Sequence, residues 1–135
     1  MPELQDITEV VNAQMPLGST LGIRTRGGPE QVESTLAWSP ELCTAGGVLH
    51  GGVLMALADA AGAVCAFLNL PLGATTSTIE SKTNFFAAVR EGEVLARATP
   101  LHLGRTTIVV ETDLFDASGK RVARTTQTQA VLVEP

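Results

Sequence analysis

Asp59 is the one charged residue in residues 50–70, which read HGGVLMALADAAGAVCAFLNL. Apolar and small residues surround it on every side of a helical wheel, so the stretch predicts a helix that is buried all round. A carboxylate in the middle of such a helix is costly unless it has hydrogen-bonding partners or a chemical role. A carboxylate in this position can act on a bound carbonyl group as a nucleophile or as a general base.

Gly51 and Gly52 open the predicted helix. The first turn of a helix has free N–H groups, and glycine lets a ligand atom come close to them. The helix dipole also favours negative charge at this end, so the site could hold an oxyanion or a polarised carbonyl. The alternative is that both glycines only allow a tight turn into the helix, and that Asp59 is a structural acid bonded to backbone or hydroxyl groups.

The spacing of Gly51 and Asp59 predicts a dimer. Eight residues separate them, which is a rise of about 12 Å along a helix. A carbonyl oxygen and the group that attacks its carbon must lie within roughly 3–3.5 Å of the same atom. One helix therefore cannot supply both groups, whereas two antiparallel copies can, with Gly51 from one subunit and Asp59 from the other.

The elements around this helix predict an α+β fold in which a curved antiparallel sheet wraps around one long central helix. Residues 3–15 predict a short amphipathic helix that Pro16 ends, and Gly27-Gly28-Pro29 predicts the turn of a hairpin. No linker or repeat is visible, so we expect one domain over residues 1–135, with residues 1–16 as an N-terminal helical extension. Strands are predicted near residues 21–26, 31–38, 75–88, 93–103, 105–116 and 121–133.

The composition excludes several classes of function. Of the 135 residues, 44% are hydrophobic, and the net charge is −5. An acidic chain without a basic stripe is not expected to bind nucleic acid. The high apolar content of so short a chain predicts that part of its surface is buried in an oligomer.

Metal, disulfide and membrane sites are not expected either. Cys43 and Cys65 form no disulfide framework and lack the further soft ligands of a zinc site. The apolar run 53–68 is shorter than the roughly 20 residues that a membrane span needs, and it contains Asp59. Since the N-terminus shows no signal-peptide pattern, we expect a cytoplasmic protein.

Three motifs together resemble one enzyme family. They are His50-Gly51-Gly52 with an acid nine residues after the histidine, residues 84–89 (NFFAAV) followed by Glu91-Gly92, and residues 102–106 (HLGRT). Over roughly residues 17–133 the chain resembles the hotdog-fold acyl-CoA thioesterases. The most similar group is the phenylacetate-pathway (PaaI-like) type, which is similar to one class of 4-hydroxybenzoyl-CoA thioesterase.

The resemblance implies a hotdog fold and hydrolysis of an aromatic or medium-chain acyl-CoA to the free acid and CoA. It implies that the Gly51 amide polarises the thioester carbonyl and that Asp59 of the partner subunit is the nucleophile or base. His50 would orient the loop, and Thr44 stands where the family often has Asn or Gln on the thioester or the lytic water. The family needs no metal or separate cofactor, and it commonly forms homotetramers from such dimers.

The same resemblance implies where the substrate binds. Gly52 would lie beside the thioester, and Ala63 would leave room for the acyl group. Arg105 and Thr106 would contact the CoA phosphates. Arg90 or Lys82 is the candidate to replace a basic residue that the family often carries after the aromatic pair. His102 is expected on the loop surface rather than in a catalytic role.

Two other functions stay open from the sequence. A hotdog acyl dehydratase or hydratase usually combines a catalytic His with an acid on the helix, and residues 51–70 contain no His. A non-catalytic acyl-CoA binding protein of the same fold would bind substrate without turnover. Hydrolysis of acyl-CoA by the wild type and its loss in Asp59→Asn would separate the thioesterase from both.

Overall fold

One antiparallel sheet of seven strands curves around a long helix in the computed structural model, which describes residues 3–134. The strand order is β1-β2-β3-β5-β6-β7-β4. The helices are α1 (Thr8–Gln14), α2 (Pro16–Leu21) and α3 (Gly51–Phe67). The strands are β1 (Gln5–Asp6), β2 (Arg24–Gly28), β3 (Gln31–Ala37), β4 (Thr75–Phe85), β5 (Glu93–Leu103), β6 (Thr107–Phe115) and β7 (Arg121–Leu132).

The core lies between α3 and the concave face of the sheet. Side chains on β5 and β6 alternate between buried and partly exposed positions, and the inward ones on β5 include Val94, Ala96 and Ala98. These small side chains face a helix whose own buried residues include Leu57 and Ala61. Small residues on both surfaces let the helix lie close to the strands, which excludes water from the interface. The predicted α+β architecture with one central helix is therefore confirmed.

The single chain buries only one side of α3, and burial of the other side by a second copy stays a prediction. The sheet covers one side of the helix, while Met55, Asp59 and Phe67 are exposed on the other. These residues recur at intervals of about four, so they form one stripe along the helix. This stripe is called the open face below.

The N-terminal prediction is partly wrong. Residues 3–15 do not form one helix, since Gln5–Asp6 pairs with β2 and α1 begins only at Thr8. Pro16 ends α1 but also begins α2, because the first position of a helix does not use its N–H group. The extra helix runs to Leu21, so the following strand starts at Arg24 instead of residue 21.

The remaining elements follow the prediction with small shifts. The hairpin of β2 and β3 is confirmed, and β5 has the predicted bounds. β4 ends at Phe85 because the N–H groups of Phe86 and Ala87 both donate to the carbonyl oxygen of Val122. Within residues 3–134, no helix is long and apolar enough to cross a membrane.

Candidate active site

The first turn of α3 leaves one amide free. His50 caps the helix: its Nδ1 accepts a hydrogen bond from the Gly52 N–H at 2.9 Å. The N–H groups of Val53 and Leu54 both donate to the His50 carbonyl oxygen, at 2.9 and 3.3 Å. The Gly51 N–H has no hydrogen-bond partner among the described residues. Of the four amides that open the helix, only that of Gly51 can therefore receive a ligand oxygen.

His50 orients this turn and does not offer a base on the helix side. Because Nδ1 accepts from an amide, the ring proton lies on Nε2 in the neutral imidazole. The His50 N–H donates to the Leu42 carbonyl oxygen at 2.9 Å. The N–H of the buried Leu49 donates to the Val89 carbonyl oxygen, also at 2.9 Å. These bonds fix the approach of the chain to Gly51. Gly52 uses its N–H within the cap, and its predicted contact with substrate stays a prediction.

An aromatic neighbour packs closely on Gly51. A Cβ atom on Gly51 would lie 3.2 Å from Cζ of Phe85, the last residue of β4. The Phe85 ring therefore lies against the first residue of α3, and it is itself 48% exposed. An apolar wall beside an N–H group strengthens its interaction with a developing negative charge, because water is displaced from that side.

The loop before the helix holds Thr44 and Arg90. Thr44 is exposed, and its N–H donates to the Val48 carbonyl at 2.8 Å across a short turn. The Arg90 guanidinium donates to the Gly46 carbonyl at the tip of that turn, at 3.1 Å. Arg90 is thus a brace for the loop in this structure, and its predicted contact with CoA stays a prediction. The role of Thr44 also stays a prediction.

Asp59 lies on the open face, exposed in the single chain. Its Oδ1 accepts a hydrogen bond from Nε2 of Gln127 on β7, at 3.2 Å. Its Oδ2 has no hydrogen-bond partner within residues 3–134. The helix is continuous from Gly51 to Phe67, so the predicted rise of about 12 Å between Gly51 and Asp59 is retained. One chain therefore does not bring the free amide and the carboxylate to the same substrate atom.

The structure adds Gln127, which the sequence did not single out. It is fully buried, and its Nε2 also donates to Oε1 of Gln129 at 3.1 Å. Thr125, Gln127 and Gln129 alternate along β7 and all face inward. A period-two row of polar residues on the core face of a strand is the signal that could have found this network.

An apolar groove of about 720 Å³ lies along the C-terminal half of the open face, and its first wall residue on that face is one helical turn beyond Asp59. Ala63 lies in its wall one turn after Asp59, and Phe67 lies one turn further. The predicted place of Ala63 beside the acyl group stays a prediction. α1 supplies the opposite wall with Val10 and Val11. Gln129 and the start of β4 close the third side with hydroxyl and amide groups.

The turn between β5 and β6 carries the two residues predicted to contact the CoA phosphates, and that contact stays a prediction. Arg105 and Thr106 are both exposed there, and the Thr106 carbonyl accepts from the Val131 N–H at 2.9 Å. His102 is exposed, in agreement with its predicted surface position, and lies against Gly104, where a Cβ would be 2.6 Å from Nε2.

Other reactive groups do not compete with Asp59. Burial raises the pKa of the Cys65 thiol to about 11, so this thiol on the same helix stays protonated at neutral pH. Within the described part of the chain, no three His, Cys, Asp or Glu side chains are placed to hold a metal ion.

Comparison with known proteins places this site in a family. A family model described as "Thioesterase superfamily" matches residues 46–123, which include Gly51, Asp59 and the β5–β6 turn. A "Putative esterase" of Haemophilus influenzae is 37% identical over 103 residues, which cover 76% of this chain and 75% of that protein. The "1,4-dihydroxy-2-naphthoyl-CoA hydrolase" of Escherichia coli K12 is 30% identical and covers 78% of this chain and 77% of its own length.

A solved structure agrees with the fold over nearly the whole chain. The crystal structure of a thioesterase of class EC 3.1.2.- from Haemophilus influenzae superimposes with a TM-score of 0.87 at 32% sequence identity. The superposition covers 93% of this chain and 90% of that one.

Proposed function

This chain belongs to the thioesterase superfamily and is a thioester hydrolase, and we propose that it hydrolyses acyl-CoA through a site shared between two subunits. In this proposal the Gly51 amide of one subunit binds the thioester oxygen, and Asp59 of the partner subunit carries out the attack. The observation that carries the proposal is the single unpartnered amide at the start of α3, in a chain whose only carboxylate on that helix lies about 12 Å away.

The Gly51 amide stabilises the oxyanion. When the carbonyl carbon becomes tetrahedral, negative charge develops on its oxygen, and the N–H and the positive end of the α3 dipole both attract that charge. The cap keeps the neighbouring amides occupied, so the oxygen is directed to one donor. The Phe85 ring lies against the residue that carries this donor.

Asp59 supplies the attacking oxygen or activates it. As a nucleophile, Oδ2 bonds to the carbonyl carbon, the C–S bond breaks, and CoA leaves as its thiolate; water then hydrolyses the resulting anhydride. As a general base, the carboxylate takes a proton from a water molecule that attacks the same carbon, and the proton passes to the departing sulfur. Both routes need an oxygen without another partner, and Oδ2 meets that need.

A dimer across the edge of β4 would bring the two groups together. β4 is an eleven-residue edge strand that pairs only with β7 among the described strands. Ile79 and Phe85 on this strand are 61% and 48% exposed, and Met55 is exposed on the open face of α3. A long edge with apolar side chains favours pairing with a second copy. We propose this homodimer as the minimum unit, with pairing of dimers into a homotetramer of the PaaI-like type.

The groove that begins one helical turn beyond Asp59 is the proposed acyl site. Its volume of about 720 Å³ suits an aromatic or medium-chain acyl group. Ala63 sits nearest to the acid, so the acyl chain would run from the carbonyl along the open face toward Phe67. The exposed Arg105 and Thr106 are proposed to contact the CoA phosphates, for which the planar guanidinium is well suited. No cofactor beyond the CoA of the substrate is proposed.

The test is CoA release from a panel of acyl-CoA thioesters, followed with a thiol reagent. We expect the wild type to hydrolyse at least one aromatic or medium-chain substrate, and Asp59→Asn to lose roughly 10²–10⁴-fold in kcat. Glu30→Gln is the matched control, since it neutralises an exposed carboxylate in the β2–β3 turn. Equal turnover by Asp59→Asn and wild type would overturn the proposed site.

A further inference from the structure

Gln127 stands out as a buried amide for which packing alone gives no reason. It is fully buried on the core face of β7, against α3. Its Oε1 has no hydrogen-bond partner within residues 3–134. A buried polar atom without a partner destabilises a fold, and an apolar residue of the same shape would avoid that cost.

The fold makes a specific space for this amide. Gly62 lies on α3 where the Gln127 side chain crosses the helix, and a Cβ at position 62 would lie only 2.0 Å from Oε1. Any larger residue at 62 would therefore displace the amide. A glycine in the interior of a helix is itself unfavourable, so both residues depart from what stability favours.

The hydrogen bonds of Gln127 lead from the acid to the groove. Its Nε2 donates to Oδ1 of Asp59 at 3.2 Å and to Oε1 of Gln129 at 3.1 Å. Gln129 in turn donates to Oγ1 of Thr76 at 3.1 Å and accepts from Thr78 at 2.6 Å. The Thr76 hydroxyl donates to the Ala130 carbonyl at 2.8 Å, which ends the chain of donors on the backbone.

We propose that Gln127 is a positioning residue that holds Oδ1 of Asp59 and so directs Oδ2 toward the substrate; this inference rests on the proposed role of Asp59. An exposed carboxylate on a helix can rotate about χ1 and χ2, and one fixed donor from the rigid sheet removes most of that freedom. Gln129, braced by Thr76 and Thr78, keeps the amide of Gln127 from turning over. The residue acts through Asp59 and does not touch the reacting atoms.

Gln127→Met is the direct test, because methionine keeps the shape and removes the donor. We expect kcat to fall roughly ten- to a hundred-fold, as for loss of one hydrogen bond to a charged group, with KM changed less than about two-fold. The melting temperature should stay the same or rise. Thr112→Val is the matched control: Thr112 is fully buried and its Oγ1 also lacks a partner, but it does not contact Asp59. We expect kcat of this control to equal that of the wild type.

A double-mutant cycle separates positioning from a general structural effect. In the Asp59→Asn background, Gln127→Met should lower the residual rate by less than about two-fold, because residues that act as one unit are not additive. An equal loss in both backgrounds would overturn the proposal. If Gln127→Met does not fold, Gly62→Ala displaces the same amide from the helix side and should show the same non-additivity.

The two proposals fail in different ways. If Asp59→Asn retains wild-type turnover, the proposed active site is wrong. If Asp59→Asn loses activity but both Gln127→Met and Gly62→Ala keep the wild-type kcat, only the positioning role is wrong.

Discussion

The two faces of α3 carry the same kinds of apolar residue, but one face is buried and the other is exposed. Toward the sheet, Leu57, Ala61 and Cys65 are fully buried. Toward solvent, Met55 and Phe67 are exposed on either side of Asp59. The sheet thus covers only one side of an apolar helix. The face that the chain leaves uncovered carries the acid and the groove, so we infer that the unfinished side of the helix is the functional one.

Asp59→Ala, on the open face, should give the largest difference between its effect on activity and its effect on stability. We expect kcat to drop roughly 10²–10⁴-fold because the attacking or activating oxygen is lost. Stability should change little, with the melting temperature within about 3 °C of the wild type, because an exposed side chain with one hydrogen bond is removed. Acyl-CoA turnover and thermal unfolding measure the two effects. A large fall in melting temperature would instead make Asp59 a structural acid.

Gly51→Pro tests the free amide without breaking the helix. Proline is favoured at the first helical position, and His50 has φ −59° and ψ 133°, which a following proline accepts. Gly51→Ala is the matched control, since it brings a comparable contact with Phe85 but keeps the N–H. We expect kcat of Gly51→Pro to be roughly 10²–10³-fold below that of Gly51→Ala. Equal rates would mean that this amide does not bind the oxyanion.

Leu57→Ala tests the face toward the sheet and should lower stability with little effect on kcat. Leu57 is fully buried, so its truncation leaves a cavity and should lower the free energy of unfolding by about 2–5 kcal/mol. The kcat of the folded fraction should remain within about three-fold of wild type, since the residue contacts the sheet and not the substrate. Denaturant unfolding and turnover below the transition check both values. Retained stability would show that the two faces do not differ as described.

Ala63→Phe should have the smallest effect and the most selective one. A ring at position 63 would fill the end of the groove nearest to Asp59 along the helix, so KM for aromatic or medium-chain acyl-CoA should rise about ten-fold. Acetyl-CoA, which does not enter the groove, should be affected less than about two-fold if it is hydrolysed. Equal changes for short and long substrates would place the acyl group elsewhere.

The parts of the fold that the sequence predicted correctly are those that local patterns determine. The start of α3 at Gly51, the β2–β3 hairpin and the bounds of β5 follow from glycine pairs and from runs of period two. The sequence did not predict the exposure of Asp59, because burial on one face depends on how far the sheet curves around the helix. Gln127 was missed for the same reason: its partner lies 68 positions away in the chain.

The most direct measurement of the shared site is complementation between two inactive variants. Gly51→Pro and Asp59→Asn subunits are unfolded together, refolded as a mixture and assayed for acyl-CoA hydrolysis. A mixed dimer contains one site with both groups intact, so with equal, random pairing we expect recovery of about one quarter of wild-type activity. A mixture that stays at the activity of its two parents, while mixed dimers are present, would contradict a site built from two subunits.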